Sequence, residues 1–252
     1  NNTTYNLARM NMLLHDVHYS KFNIKQDDTL EAPQHLGKQF DAVVANPPFS
    51  AQWKGKDNPL FSNDERFEQY GRLAPSSKPD FAFLQHIVAS IKDDGKAGVV
   101  CPQGVLFRGQ PEKTEEEDGQ NRKADDEYLI RRGLLQGKVD HNGEFTEIHN
   151  IIDAIVVLPG NLFYGTTIPG AILFINKNKP AARKDKVLMV YAAKEGWYKE
   201  EANMNVLLPH DMLRISTILE SWGDLDIAKT WIASQKTRLK ILIQEDLDFK
   251  LL

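Results

Sequence analysis

Asn46-Pro47-Pro48-Phe49 is the stretch of this chain whose residue types can do chemistry. An exocyclic ring amine or an amide nitrogen is a poor nucleophile, because its lone pair is delocalised into a ring or a carbonyl. Acceptors placed on both of its N–H bonds favour a pyramidal, more reactive nitrogen. Asn46 offers a side-chain amide oxygen, and Pro47 offers a carbonyl on a backbone stiffened by two prolines. Phe49 offers a ring face for a flat substrate to stack on. A carboxylate at position 46 would serve as well, and prolines also end strands without doing chemistry. Read alone, the tetrapeptide leaves both readings open.

The elements that must hold it are legible nearby. Residues 42–45 are an apolar run bounded by Asp41 and by the double proline, which predicts a buried strand of a parallel sheet ending at Asn46. The carboxyl edge of such a sheet is where ligands bind in open α/β folds.

Six segments in one order carry a family resemblance: NNTTYNLARMNMLLHDV at 1–17, DTL at 28–30, FDAVVANPPFS at 40–50, LAPSSKPDFAFLQH at 73–86, PQGVLFRG at 102–109 and LPGNLFYGTTIPGAILFINK at 158–177. Together they closely resemble the modification subunit of type I restriction-modification enzymes, a DNA adenine-N6 methyltransferase that uses S-adenosylmethionine. The resemblance covers about residues 1–190 and implies an α/β, Rossmann-like methyltransferase fold. It implies Asn46, Pro47, Pro48 and Phe49 as the catalytic group, and Asp28, Asn46 and Phe81 beside the cofactor. It also implies an extruded adenine on Phe49, with Phe163 or Tyr164 helping to hold it, direct methyl transfer and no metal in that step. The partners it implies are DNA, a specificity subunit that reads the sequence and a restriction subunit. Asp27 stands where a glycine usually precedes the Asp-Thr-Leu motif, and Asp27 and Asp28 also suit a simple turn.

Composition agrees with such a protein. At 252 residues and 41% hydrophobic content the chain can bury a sizeable core. A net charge of −4 argues against a stand-alone DNA binder, although a basic cleft on an acidic protein stays open. The one cysteine, Cys101, excludes an internal disulfide and a cysteine-based zinc site, and reads as a small core residue. No apolar run reaches membrane-spanning length and no secretory pattern opens the chain, so a soluble cytoplasmic protein is expected.

Leu7, Met10, Leu14 and Val17 fall at helical spacing and predict a core-packing helix. Residues 22–24 predict a short strand. In the polar loop 51–77, Trp53, Phe61, Phe67 and Tyr70 interleave with Lys54, Lys56 and Arg66, which fits either a nucleic-acid channel or a loop anchored by its aromatics. Pro79 opens a helix with Phe81, Leu84, Val88 and Ile91 on its apolar face. A turn at 92–95 precedes a buried strand at 97–101. The charged residues 110–126 predict a surface excursion, and 135–148 a second extension. Strands at 151–158 and 171–175 predict an antiparallel hairpin at the edge of a mixed sheet. A strand at 187–191 and helices at 212–222 and 227–247 follow, which divides the chain into a catalytic portion, 1–191, and a mainly helical tail, 192–252.

No Gly-rich strand-to-helix loop of the form Asp-Pro-x-x-Gly-x-Gly occurs, although that loop lets the backbone approach the cofactor in this class. The expectation is a portion of a larger methyltransferase that begins in mid-domain, binds S-adenosylmethionine weakly or not at all, and is inactive by itself. The other readings are a methyltransferase acting on protein glutamine or on ribosomal RNA, and a non-catalytic assembly or DNA-contact module.

Overall fold

A computed structural model describes residues 2–49, 51–113, 122–141, 144–148 and 150–235. The chain opens with helix α1, Asn2–Leu14, and reaches the first strand, β1 at Phe40–Ala45, through turns and bends. No strand forms at 22–24, and the outer edge of β1 carries no partner among the described residues. Helix α2, Glu65–Glu68, and helix α3, Asp80–Ser90, lead into β2, Ile91–Pro102. Helix α4 follows at Asp126–Gln136, then the hairpin β3, Lys138–His141, with β4, Glu144–Glu147, which is the second extension. Strands β5, Ile152–Val157, β6, Gly170–Asn176, and β7, Leu188–Tyr191, complete the main sheet. The small pair β8, Lys199–Glu200, and β9, Asn205–Val206, then precedes helices α5, Pro209–Ser221, and α6, Leu225–Ser234. Of the expected helix at 227–247, the part past 235 lies outside the described residues, as do residues 114–121 of the charged excursion. The arms of that excursion pair through an antiparallel bridge between Lys113 and Arg122.

The main sheet runs β1-β2-β6-β5-β7. Strands β1 and β2 are parallel, β6 is antiparallel to both β2 and β5, and β7 is parallel to β5. The mixed sheet and its hairpin are as expected, but the hairpin lies inside the sheet and β7 forms the far edge. The turn at 92–95 survives as an outward loop within β2: Phe40 faces Ile91, whereas Ala42 already faces Lys96. Gly95 permits it, since a Cβ there would sit 2.8 Å from the Lys92 nitrogen.

Side chains alternate across the sheet with period two. Val99, Cys101, Ile155, Val157, Leu173 and Ile175 enter the larger core with α3, α4 and the loop aromatics. Val156, Leu158 and Val190 meet Ile215 of α5 on the opposite face. The helical tail therefore packs on the sheet through α5.

Two expectations of burial are corrected, and one open alternative is decided. No residue of α1 is buried, and Leu14 is 76% exposed. Among the described residues nothing packs on the second face of the sheet at β1, so Val44 is 91% exposed rather than buried. Trp53, Phe61, Phe67 and Tyr70 are all buried, and the first three rings pack against one another. They anchor their loop and do not line a channel. No helix among the described residues is long and apolar enough to cross a membrane.

Candidate active site

Ala45 pairs with Val99, and Pro102 pairs with Gly170, so β1, β2 and the start of β6 finish at one edge of the sheet. Asn46 to Phe49 leaves β1 at that edge. Asn46 and Pro48 are exposed and Pro47 and Phe49 half-buried. The Phe49 ring meets Phe163 edge to face, with centroids 6.2 Å apart and planes at 80°. Two residues separated widely in sequence are thus brought together where the sequence placed the chemistry.

The β5–β6 loop divides its aromatics. Phe163 and Thr166 bridge across Gly165, whose φ of 76° suits a tight turn. Phe163 turns inward beside Gly170, where a Cβ would lie 3.1 Å from its ring, whereas Tyr164 points out at 92% exposure. Asn205 ties the loop base down, its side-chain amide donating to the Gly160 carbonyl at 2.7 Å.

Asp28 is exposed, and its Oδ1 accepts from the Leu30 and Glu31 amides at 2.9 and 3.0 Å. Asp27 accepts from the Asp28 amide and from Gln34. Both acids shape the turn, as their residue type allows, and Asp28 still presents a carboxylate to the outside. Phe81, expected beside the cofactor, is 1% exposed in the larger core and presents no open ring face.

Under the end of β2 lies an ion-pair cluster that sequence reasoning missed. Asp80 at the start of α3 and Glu127 in the first turn of α4 are both buried, and Arg108 bridges them. Burial opposes the Arg108 charge, but the bonds to Asp80 and the nearby Glu127 outweigh it and raise its pKa. Cys101 sits close by; burial first, and the Asp80 carboxylate second, push its thiol up to about 12. It is a core residue, as expected. Among the described residues no group of three or more His, Cys, Asp or Glu side chains is arranged to hold a metal.

The fold and the site now meet known proteins. A methyltransferase subunit of a type I restriction-modification system from Streptococcus thermophilus superimposes with a TM-score of 0.72 at 34% identity, covering 89% of this chain and 42% of that one. The mixed sheet with Asn46 at its carboxyl edge therefore belongs to the α/β methyltransferase class. The N-6 DNA Methylase family profile matches residues 1–118 and 144–245, and the chain belongs to that family. It is 34% identical over 85% of its length to the type I restriction enzyme MpnII methylase subunit of Mycoplasma pneumoniae. It is 28% identical over 90% of its length to the HindI methylase subunit of Haemophilus influenzae. The resemblance to type I methylase subunits is thereby borne out. The chain spans 35% and 43% of the length of those two relatives.

Proposed function

We propose that this chain is the target-facing part of a DNA adenine-N6 methyltransferase subunit of a type I restriction-modification enzyme, which transfers methyl from S-adenosylmethionine to an extruded adenine. The observation that carries the reading is the placement of Asn46-Pro47-Pro48-Phe49 at the carboxyl edge of the sheet, with the Phe49 ring set against Phe163. Asn46 Oδ1 and the Pro47 carbonyl accept from the two N–H bonds of the target amine and hold its lone pair in line for attack. Phe49 stacks on the base, and Phe163 or Tyr164 closes the loop side. DNA, a specificity subunit and a restriction subunit are the partners.

S-adenosylmethionine supplies an electrophilic methyl group. The residues present fit one end of it: Asp28 offers an outward carboxylate to an adenine amino group, and Asn46 is open beside the sheet edge. The glycine-rich loop that would receive the methionine end is not among these residues. The bare surfaces of α1 and β1 fit a further segment that covers them and brings that loop.

Calorimetry with S-adenosylmethionine tests this on the 252-residue chain and on a longer polypeptide that contains it. Binding by the longer form alone, with methylation of adenine in duplex DNA, is the expected result. Tight binding by the shorter chain would overturn the divided cofactor site. Methylation of protein or RNA instead of DNA would overturn the substrate.

A further inference from the structure

Arg66 stands in the single-turn helix α2, and it is 4% exposed. All five of its N–H donors are engaged. Nε donates to Asp64 Oδ1 at 2.9 Å, and one terminal nitrogen donates to Asp64 Oδ2 at 2.7 Å and to the Leu30 carbonyl at 2.8 Å. The other donates to the Thr29 carbonyl at 3.3 Å and to His86 Nδ1 at 3.1 Å. The guanidinium also lies over the Phe67 ring, 4.8 Å from its centroid. Burial first, and the Arg66 charge second, hold the His86 pKa down at about 4, so this imidazole is neutral and Nδ1 is free to accept.

Thr29 and Leu30 belong to the turn whose amides Asp28 caps. That turn is held from both sides: Asp28 Oδ1 takes the Leu30 and Glu31 amides, and Arg66 takes the Thr29 and Leu30 carbonyls. Residues 22–39 contain no helix or strand that would fix them by a ladder. Among the described residues, the other hydrogen bond from residues 27–31 to the body of the protein joins Glu31 to the Lys54 amide.

We propose that Arg66 is a positioning residue for cofactor binding, which fixes the direction of the Asp28 carboxylate by clamping the carbonyls of its turn. The proposal rests on the assignment of Asp28 to the cofactor given above. Lysine cannot replace the guanidinium, since a compact ammonium cannot span a carboxylate, two carbonyls and an imidazole in one plane.

The test is a double-mutant cycle on S-adenosylmethionine affinity in the longer polypeptide, with Arg66→Lys, Asp28→Asn and the pair. Asp28→Asn keeps the oxygen that caps the turn. Arg66→Lys is expected to weaken binding about tenfold, a change of about 1.4 kcal/mol, with turnover at saturating cofactor and KM for DNA unchanged. The pair should bind within about twofold of Asp28→Asn, because coupled groups are not additive. Losses that multiply, or a fall in turnover, would overturn the proposal in favour of a general fold anchor. Should Arg66→Lys fail to fold, Asp64→Asn loosens the same guanidinium and enters the same cycle. Amide exchange in the 252-residue chain separates the clamp from the cofactor assignment. Leu30 and Glu31 should exchange about tenfold faster in Arg66→Lys. Unchanged protection would overturn the clamp, whereas faster exchange with no cofactor binding by the longer wild-type polypeptide would sink only the methyltransferase assignment.

Discussion

His86 takes its ionisation from its surroundings. Its folded pKa lies at about 4 against an ordinary 6.5, so between those values the unfolded chain binds a proton that the folded chain refuses. Stability is full above pH 6.5 and falls as the pH drops toward 4, by up to about 3 kcal/mol for a displacement of that size. Urea denaturation at pH 7 and pH 5 should show the loss in the wild type and a smaller loss in His86→Gln. The same loss in both would refute it. Asn46 is the contrasting residue, exposed at the end of β1. In the longer polypeptide, Asn46→Ala should cost about 100- to 1,000-fold in methyl transfer, as lost transition-state acceptors do, and shift the melting temperature little because a surface position is involved. Single-turnover methylation and a thermal melt check the two halves. Asn46→Asp should retain part of the rate, since a carboxylate can accept the same bond.

Helix α4 is ended by Gly137, whose φ of 68° is left-handed and whose amide donates to the Gly133 carbonyl. A Cβ there would lie 2.0 Å from the Ile148 carbonyl oxygen. Gly137→Ala therefore meets both backbone strain and a collision with main chain, and should destabilise by about 3 kcal/mol or more. A chemical denaturation curve would reveal it, and a variant within about 0.5 kcal/mol of wild type would show that the hairpin after α4 yields freely. At this scale the sequence was readable where periodicity was strong. Helix α3 and strands β5, β6 and β7 announce themselves through apolar spacing or unbroken apolar runs, and Asn-Pro-Pro marks the end of β1. The aromatic loop was ambiguous for a physical reason: Trp53, Phe61 and Phe67 interleave with cations in the same way whether their rings face one another or face DNA. Arg66 was equally opaque, since its carbonyl partners lie 36 and 37 residues away and no local pattern encodes them. The 22–24 segment shows the converse, having strand composition but no ladder, since three residues carry too few cross-strand pairs to fix a strand by themselves.

On the scale of the molecule the two faces of the sheet are covered unequally. One face is filled by α3, α4 and the buried aromatics, and the β5–β7 end of the other by α5. At the β1 end of that second face Val44 is bare, and α1 carries Leu7, Met10, Leu13 and Leu14 at exposures of 51–76%. A row of large apolar side chains on a helix and a strand edge without a partner are each costly to leave in water. These surfaces fit a layer supplied by a further segment of polypeptide, the one that also brings the cofactor loop. If so, charge on α1 should spare this chain and harm its assembly. Leu7→Glu with Leu14→Glu removes no buried contact, so the melting temperature of the 252-residue chain should hold within about 2 °C. Leu84→Ala, in the core at 0% exposure, should cost about 2–5 kcal/mol in the same assay. Association with a separately produced cofactor-loop segment, followed by calorimetry, should weaken at least tenfold in the α1 variant. A melting loss in that variant comparable to Leu84→Ala would mean that α1 already packs on this chain, and the covering layer would have to be sought along the edge of β1 alone.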